Sequence, residues 1–175
     1  MLNIHRIITG YLEENCYVLN IDSYALIIDP GDEADKIIKY ISDNKFKVLA
    51  ILITHHHFDH VGALEEIKNE YKDAKVIDYN NKSVSIEPFK FEIIKNYGHT
   101  MDSVSYYFKN DKKLFCGDFV FKGSIGRYDY ENEEEMIKSL DKFKLMDKDI
   151  IVYPGHGDET SVGYELKTNP FLRGF

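Results

Sequence analysis

Ile51-Leu52-Ile53-Thr54-His55-His56-His57-Phe58-Asp59-His60 is the stretch on which the fold and the chemistry turn. An apolar strand runs out at Ile53, and four histidines and an aspartate follow within six positions. Such a run makes poor core material. Each imidazole needs partners for two nitrogens, and a carboxylate is costly to bury unless it is paired or bound to metal. A metal ion meets both demands together. Neutral imidazole and carboxylate are ligand types that suit zinc, iron and manganese, and the absence of nearby cysteine argues against a closed structural zinc knuckle. His56 alternates away from His55 and His57 in an extended segment, so it is read as a non-ligand.

Three further segments place a ligand-type residue beside glycine just beyond an apolar strand. They are Gly98-His99-Thr100, Cys116-Gly117-Asp118 and Pro154-Gly155-His156-Gly157. Glycine lets the backbone turn sharply and bring a ligand-bearing loop close to a metal. If these strands end at one rim, their loops converge on a single cleft. A lone loop histidine is ordinarily surface or packing, and His5, which lacks this context, is read so. His99 and His156 stand apart from it because of the cluster at 55–60.

Runs rich in Ile, Val, Tyr and Phe predict strands over about 3–9, 15–21, 24–28, 48–53, 75–78, 90–95, 104–108, 113–116 and 149–153. Helical spacing predicts helices over Glu33 to Asp43 with Asp32 as cap, over Asp59 to Tyr71, and over Glu133 to Leu145. Mixed strands and helices in 175 residues suggest sheets covered by helices, an α/β or α+β class, in a single domain spanning 1–175. The acidic run Glu131, Glu133, Glu134 and Glu135 falls at the start of the third helix, where the macrodipole favours it.

Composition narrows the function. A net charge of −8 disfavours nucleic acid and anionic membrane surfaces. No apolar run is long enough to span a bilayer, and the first residues lack a secretory pattern, so the expectation is a cytoplasmic protein acting on a small molecule. Cys16 and Cys116 sit in apolar runs and read as small buried thiols in a reducing compartment.

With those residues in hand, the chain resembles the metallo-β-lactamase superfamily. The His-x-His-x-Asp-His signature stands as His55, His57, Asp59 and His60, and Gly98-His99-Thr100, Gly117-Asp118 and Gly155-His156-Gly157 follow in the family's order. Glu14-Asn15-Cys16-Tyr17-Val18-Leu19, Asp29-Pro30-Gly31, Gly123-Ser124-Ile125-Gly126-Arg127 and Thr168-Asn169-Pro170-Phe171 make it look most like the glyoxalase II, or hydroxyacylglutathione hydrolase, group. The resemblance implies a four-layer αββα sandwich and two divalent metal ions. One ion would take His55, His57 and His99, the other Asp59, His60 and His156, with Asp118 bridging. Zinc is the commonest expectation, and iron and manganese accept the same set. It implies hydrolysis of a small acyl-thioester, with Asp59 orienting the nucleophile and Asp118 holding the ion pair.

Larger glyoxalase II enzymes add a C-terminal helical domain that contacts glutathione, and this sequence ends at Phe175 without it. Their tyrosine two residues beyond the last ligand histidine is replaced by Asp158. Their basic residue after the bridging aspartate is kept as Arg127, one of three arginines, and is the candidate substrate contact. Two other readings stand beside hydrolysis of a thioester. Persulfide dioxygenases look similar and share Gly126-Arg127-Tyr128-Asp129, using one iron at the equivalents of His55, His99 and Asp118. A binding protein with structural metals is the third, and other esters, lactones or lactams are further substrates for a hydrolase.

Overall fold

The structure is a computed structural model that describes residues 1–81 and 84–173. The chain divides into two compact halves, Met1–Lys90 and Phe91–Phe175.

In the first half, β1 (Asn3–Thr9), β2 (Glu14–Ile21) and β3 (Tyr24–Ile28) form an antiparallel meander. Helix α1 (Ala34–Asp43) then crosses over to β4 (Lys47–Leu52), which lies parallel to β3. Helices α2 (Phe58–Val61) and α3 (Leu64–Glu70) cross again to β5 (Lys75–Ile77), giving a five-stranded sheet in sequence order. Ile37 and Ile41 of α1 and Ile67 of α3 pack on one sheet face with Ile7, Val18 and Ile51. That apolar face is what the helical spacing encoded. The alternate positions Leu19, Leu26, Ile28 and Leu52 point the other way and are buried too, so the central strands read as continuous apolar runs.

In the second half, β6 (Glu92–Lys95), β7 (Val104–Phe108) and β8 (Lys113–Gly117) form a second antiparallel meander. The short hairpin β9 (Val120–Phe121) and β10 (Ser124–Ile125) follows, then helix α4 (Glu133–Lys144). Strand β11 (Ile151–Pro154) returns parallel to β8 and pairs with β12 (Thr160–Ser161), after which α5 (Val162–Thr168) closes the half. Sheet order is β12-β11-β8-β7-β6. Met136, Leu140 and Phe143 of α4 pack against Leu114, Phe119 and Val152.

Two sequence expectations need correction. The helix predicted over 59–71 is two helices. The amide of Ala63 donates to the Pro30 carbonyl at 3.0 Å, and the closely approached Gly31 carbonyl faces Gly62, so tertiary contacts interrupt the ladder there. Asp32 does not cap α1. The flanking residue is Glu33, in the left-handed region at φ 50°, and Asp32 accepts the Glu33 amide at 2.7 Å instead. Among the described residues no helix is long and apolar enough to cross a membrane.

Candidate metal centre

In the first half the predicted residues His55, His57, Asp59 and His60 lie just past the carboxyl end of β4, next to the end of β3. Because these strands are parallel neighbours, Asp29 and Thr54 leave them side by side, and the Asp29 amide donates to the Leu52 carbonyl at 3.0 Å. Asp29 is buried and left-handed at φ 49°, a conformation Asp tolerates better than most residues. Its Oδ1 accepts the Thr54 amide at 2.7 Å, and its Oδ2 accepts the Thr54 hydroxyl at 2.5 Å. Oδ2 also faces His60 Nδ1 at 2.9 Å.

These contacts settle the tautomers. A carboxylate only accepts, so Nδ1 of buried His60 carries the proton and Nε2 offers a lone pair, which faces Asp59 Oδ2 at 3.9 Å. The Thr54 proton is committed to Asp29, so the Thr54 oxygen accepts from His55 Nδ1 at 3.1 Å, and the acceptor nitrogen of His55 is Nε2. That nitrogen lies 3.1 Å from His57 Nδ1. Fixing a ligand imidazole through its second nitrogen is how metal sites orient their histidines. Asp29, His55 and His60 also gather closely enough to hold an ion by themselves. The Asp29 oxygens are already engaged with Thr54 and His60, so Asp29 serves as support. His56 turns aside, its Nε2 3.8 Å from Asp78 Oδ2.

The second half repeats the device. Strands β8 and β11 are parallel neighbours, and Gly117-Asp118 and Gly155-His156 follow their carboxyl ends. The Gly155 amide donates to the Gly117 carbonyl at 2.9 Å, and the register shifts between Tyr153 and Pro154, which turns the chain into His156. Asp118 Oδ2 lies 3.7 Å from His156 Nε2 and 3.7 Å from His99 Nε2. His99 Nδ1 donates to the Arg127 carbonyl at 2.5 Å, leaving Nε2 as an acceptor aimed at a carboxylate. Two acceptors facing each other across that gap repel unless a proton or a cation sits between them. Ligand atoms about 2.1 Å from a tetrahedral zinc stand roughly 3.4 Å apart, so the donor sets in both halves fit a metal in spacing as well as in chemistry.

The structure thus groups His55 with His57, and Asp59 with His60, in one half, and His99, Asp118 and His156 in the other. Arg127 contributes its backbone carbonyl to His99, while its exposed side chain forms no ion pair among the described residues. Three supports escape a reading of the sequence: Asp29, Thr54 and Glu14. Buried Glu14 accepts the Thr9 hydroxyl at 2.7 Å and its Oε1 lies 3.8 Å from His60 Nδ1. Only the strand-end position of Asp29-Pro30-Gly31, matching that of Thr54-His55, hinted at the role.

A further buried carboxylate braces the loop that touches His99. Glu165, fully buried on α5, accepts from the Gly123 amide at 2.9 Å, the Asn169 side chain at 2.8 Å and the Thr160 hydroxyl at 2.5 Å. Asn169 also donates to the Ser124 carbonyl at 2.9 Å, so the turn before Gly126-Arg127 is tied to the C-terminal helix.

The profile of the metallo-beta-lactamase superfamily matches residues 9–93 and 81–156. The probable metallo-hydrolase YqgX of Bacillus subtilis (strain 168) is 34% identical, with 97% of each chain covered. The hydroxyacylglutathione hydrolase GloC of Haemophilus influenzae is 30% identical, with 98% of each covered. Among solved structures, BLEG-1, a B3 metallo-beta-lactamase, is 31% identical with a TM-score of 0.90 over 99% of this chain and all of that one. TTHA1623 in a di-iron-bound form is 30% identical with a TM-score of 0.83 over 96% of this chain and all of that one. The α/β class with two sheets, expected from the sequence, is shared with these neighbours.

Proposed function

The chain belongs to the metallo-β-lactamase superfamily of metal-dependent hydrolases, and on that premise we propose that it cleaves small acyl-thioesters at a dinuclear centre. In this reading both halves make one functional domain. By the family's pattern, His55, His57 and His99 would hold one divalent ion and Asp59, His60 and His156 the other, with Asp118 as the shared ligand. Zinc is the expected metal, with iron or manganese accepted by the same ligands.

The observation that carries the proposal is the position of Asp118. One carboxylate oxygen stands at the same distance from the two imidazoles that the family assigns to different ions. A carboxylate so placed is within reach of a cation held at either imidazole.

When bound, a divalent pair supplies Lewis-acid charge to a carbonyl oxygen and brings the pKa of water towards about 7. The chain's own residues do the rest. Asp29 and Thr54 keep His60 and His55 in the tautomers that accept a cation, and the Arg127 carbonyl does the same for His99. Asp59 orients the attacking water. One water adds to the carbonyl carbon, the carbon–sulfur bond breaks, and a carboxylate, a thiol and one proton result. A thiolate leaves readily because free thiols ionise near pH 8.5, so no protein acid is required at sulfur. Hydroxyacylglutathione hydrolase GloC supports the thioester class, and Asp158 in place of the tyrosine of the glyoxalase II pattern leaves the thiol partner open to others.

The test is hydrolysis of a panel of acyl-thioesters by protein loaded with two equivalents of metal. We expect turnover that His57→Ala and Asp118→Ala each reduce at least 100-fold (an order-of-magnitude expectation for losing one site of metal-assisted chemistry). Wild-type protein with full metal and no turnover of any thioester would overturn it. The Gly126-Arg127-Tyr128-Asp129 pattern favours a second reading, oxidation of a persulfide with molecular oxygen at one iron. One iron per chain with oxygen uptake on glutathione persulfide would establish it.

A further inference from the structure

We infer that the cleft between α4 and the sheet of the second half, where the buried Asn96 amide lacks an acceptor, binds a small neutral ketone. The cleft measures about 140 Å³ and contains none of the proposed metal ligands. Phe119 and Phe143, set edge to face with centroids 6.0 Å apart, line it together with Ile94, Leu114 and Met146. It is open to solvent beside the exposed Lys142.

Three neutral polar side chains, Asn96, Ser105 and Ser139, also line the cleft. The Ser139 hydroxyl donates to the Tyr97 carbonyl at 2.7 Å and the Ser105 hydroxyl to Asn96 Oδ1 at 2.7 Å, so both protons are committed. The Asn96 backbone amide donates to the Ser103 carbonyl at 3.1 Å. Its side chain is different. Asn96 is only 3% exposed, and its Nδ2 is buried with no hydrogen-bond partner among the described residues. A buried N–H left unpaired is costly and uncommon in native interiors, and an acceptor carried in by a ligand removes that cost.

Size and charge select the occupant. An apolar cavity of about 150 Å³ holds a benzene ring, so this cleft suits a body of one ring or a branched chain. One neutral N–H does not compensate the desolvation of a carboxylate among phenyl rings, whereas it suits a carbonyl oxygen. Ile94 and Asn96 alternate onto the side of the strand that faces α4, while the Lys95 amine lies on the other side, 5.7 Å from the centroid of the Tyr97 ring. Lys142 is therefore the cation at the opening, and it forms no ion pair among the described residues. It disfavours an ammonium ligand.

The cleft lies behind the loop that carries His99. Tyr97 is tied to α4 through Ser139, and Gly98 is so close to Met136 that an added Cβ would collide with its backbone. An occupant touches both the strand and the helix that hold this loop, so its binding is linked to the loop's position.

The experiment titrates the full chain, loaded with zinc, with cyclohexanone, methylenecyclohexane, cyclohexanecarboxylate and cyclohexylamine, followed by NMR. We expect cyclohexanone to shift resonances of Asn96, Ser105, Ser139 and Phe143, and also of Gly98. Methylenecyclohexane, which has the shape without the acceptor, should bind about tenfold more weakly, the scale of one hydrogen bond. The carboxylate should bind more weakly than the ketone and the amine should not bind there. Asn96→Leu combined with Ser105→Ala replaces both hydrogen-bonding partners by apolar groups and should bring the ketone and the alkene to equal affinity. Met146→Trp should block all of them. Thermal unfolding checks that both variants are folded, and the comparison of ligands on the unaltered chain needs neither. Cyclohexanone shifts confined to other residues, equal affinity for ketone and alkene, or tighter binding of the carboxylate would overturn the site. Shifts at the lining residues that leave Gly98 unmoved would overturn its link to the His99 loop.

Discussion

Asp29 Oδ2 lies 2.9 Å from Nδ1 of His60, one of the proposed metal ligands, and both side chains are buried. The contact decides which nitrogen of His60 can accept a cation, and it makes Asp29 a positioning residue.

Asp29→Ala should therefore cost about 3 kcal/mol of stability, because it strands the Thr54 and His60 donors in the interior. It should also weaken metal binding by about 10- to 100-fold, the usual scale for losing a ligand's supporting partner. Asp29→Asn is more informative. Its amide can donate to His60 Nδ1, which would move the ring proton to Nε2 and block ligation while leaving the fold in place. Urea unfolding and metal-competition titration would separate the two variants, and an Asn variant with wild-type metal affinity would count against the tautomer role.

Gly31 and Gly126 mark close backbone approaches. A Cβ at Gly31 would collide with the Asp59 carbonyl, and one at Gly126 with the Asp118 carbonyl while also crowding His99. Gly31→Ala and Gly126→Ala are expected to lower stability by about 1–3 kcal/mol through overpacking and to reduce metal stoichiometry. Elemental analysis and thermal unfolding check this, and unchanged metal content in both would speak against the carbonyl contacts.

Glu165 meets only neutral donors. Glu165→Gln can keep all three contacts, since its oxygen still accepts the Gly123 and Asn169 N–H groups and its amide can donate to Thr160 Oγ1. It should be within about 1 kcal/mol of wild type, whereas Glu165→Ala should lose about 2–4 kcal/mol and loosen the loop behind His99. Hydrogen exchange at Gly123 and Arg127 would report the loosening.

Burial pushes the Cys16 thiol well above its ordinary value, with the nearby Glu14 and Asp29 carboxylates adding to the shift, and burial raises Cys116 to about 12. Neither should react with iodoacetamide at pH 8 in the folded protein, and both should react in urea. Because the folded thiols hold their protons more tightly than unfolded ones, their contribution to stability is complete below about pH 8.5 and declines as pH rises towards 12. Denaturation midpoints measured across that range would check the sign.

Metal should stabilise the fold by mass action. At 100 times its dissociation constant a ligand that binds only the native state adds about 2.7 kcal/mol, so chelation should lower the unfolding temperature by several degrees. An unfolding temperature unmoved by chelator, in protein shown to have lost its metal, would set the proposed ligands apart from the folded architecture.

Much of the frame was legible along the chain. The strands at 3–9, 24–28 and 104–108 and the helix from Glu133 follow from apolar periodicity, which is a local property. The seven-residue α5 and the two-residue β9, β10 and β12 were not legible, because such short pieces carry no period of their own and exist through their partners. The break at Gly62-Ala63 was hidden for the same reason, since the Pro30 carbonyl that takes the Ala63 amide is brought near by β3 pairing with β4.

The order of amino acids alone nominated the side chains proposed for metal chemistry: His55, His57, Asp59, His60, His99, Asp118 and His156 stand out by type, spacing and glycine neighbours. Only the folded chain decided which nitrogen His55, His60 and His99 present. That choice depends on Asp29, Thr54 and the Arg127 carbonyl, groups placed beside His60, His55 and His99 by sheet pairing and loop closure. A proton's position on a ring is set by the acceptor across space, and no local pattern of residues encodes it.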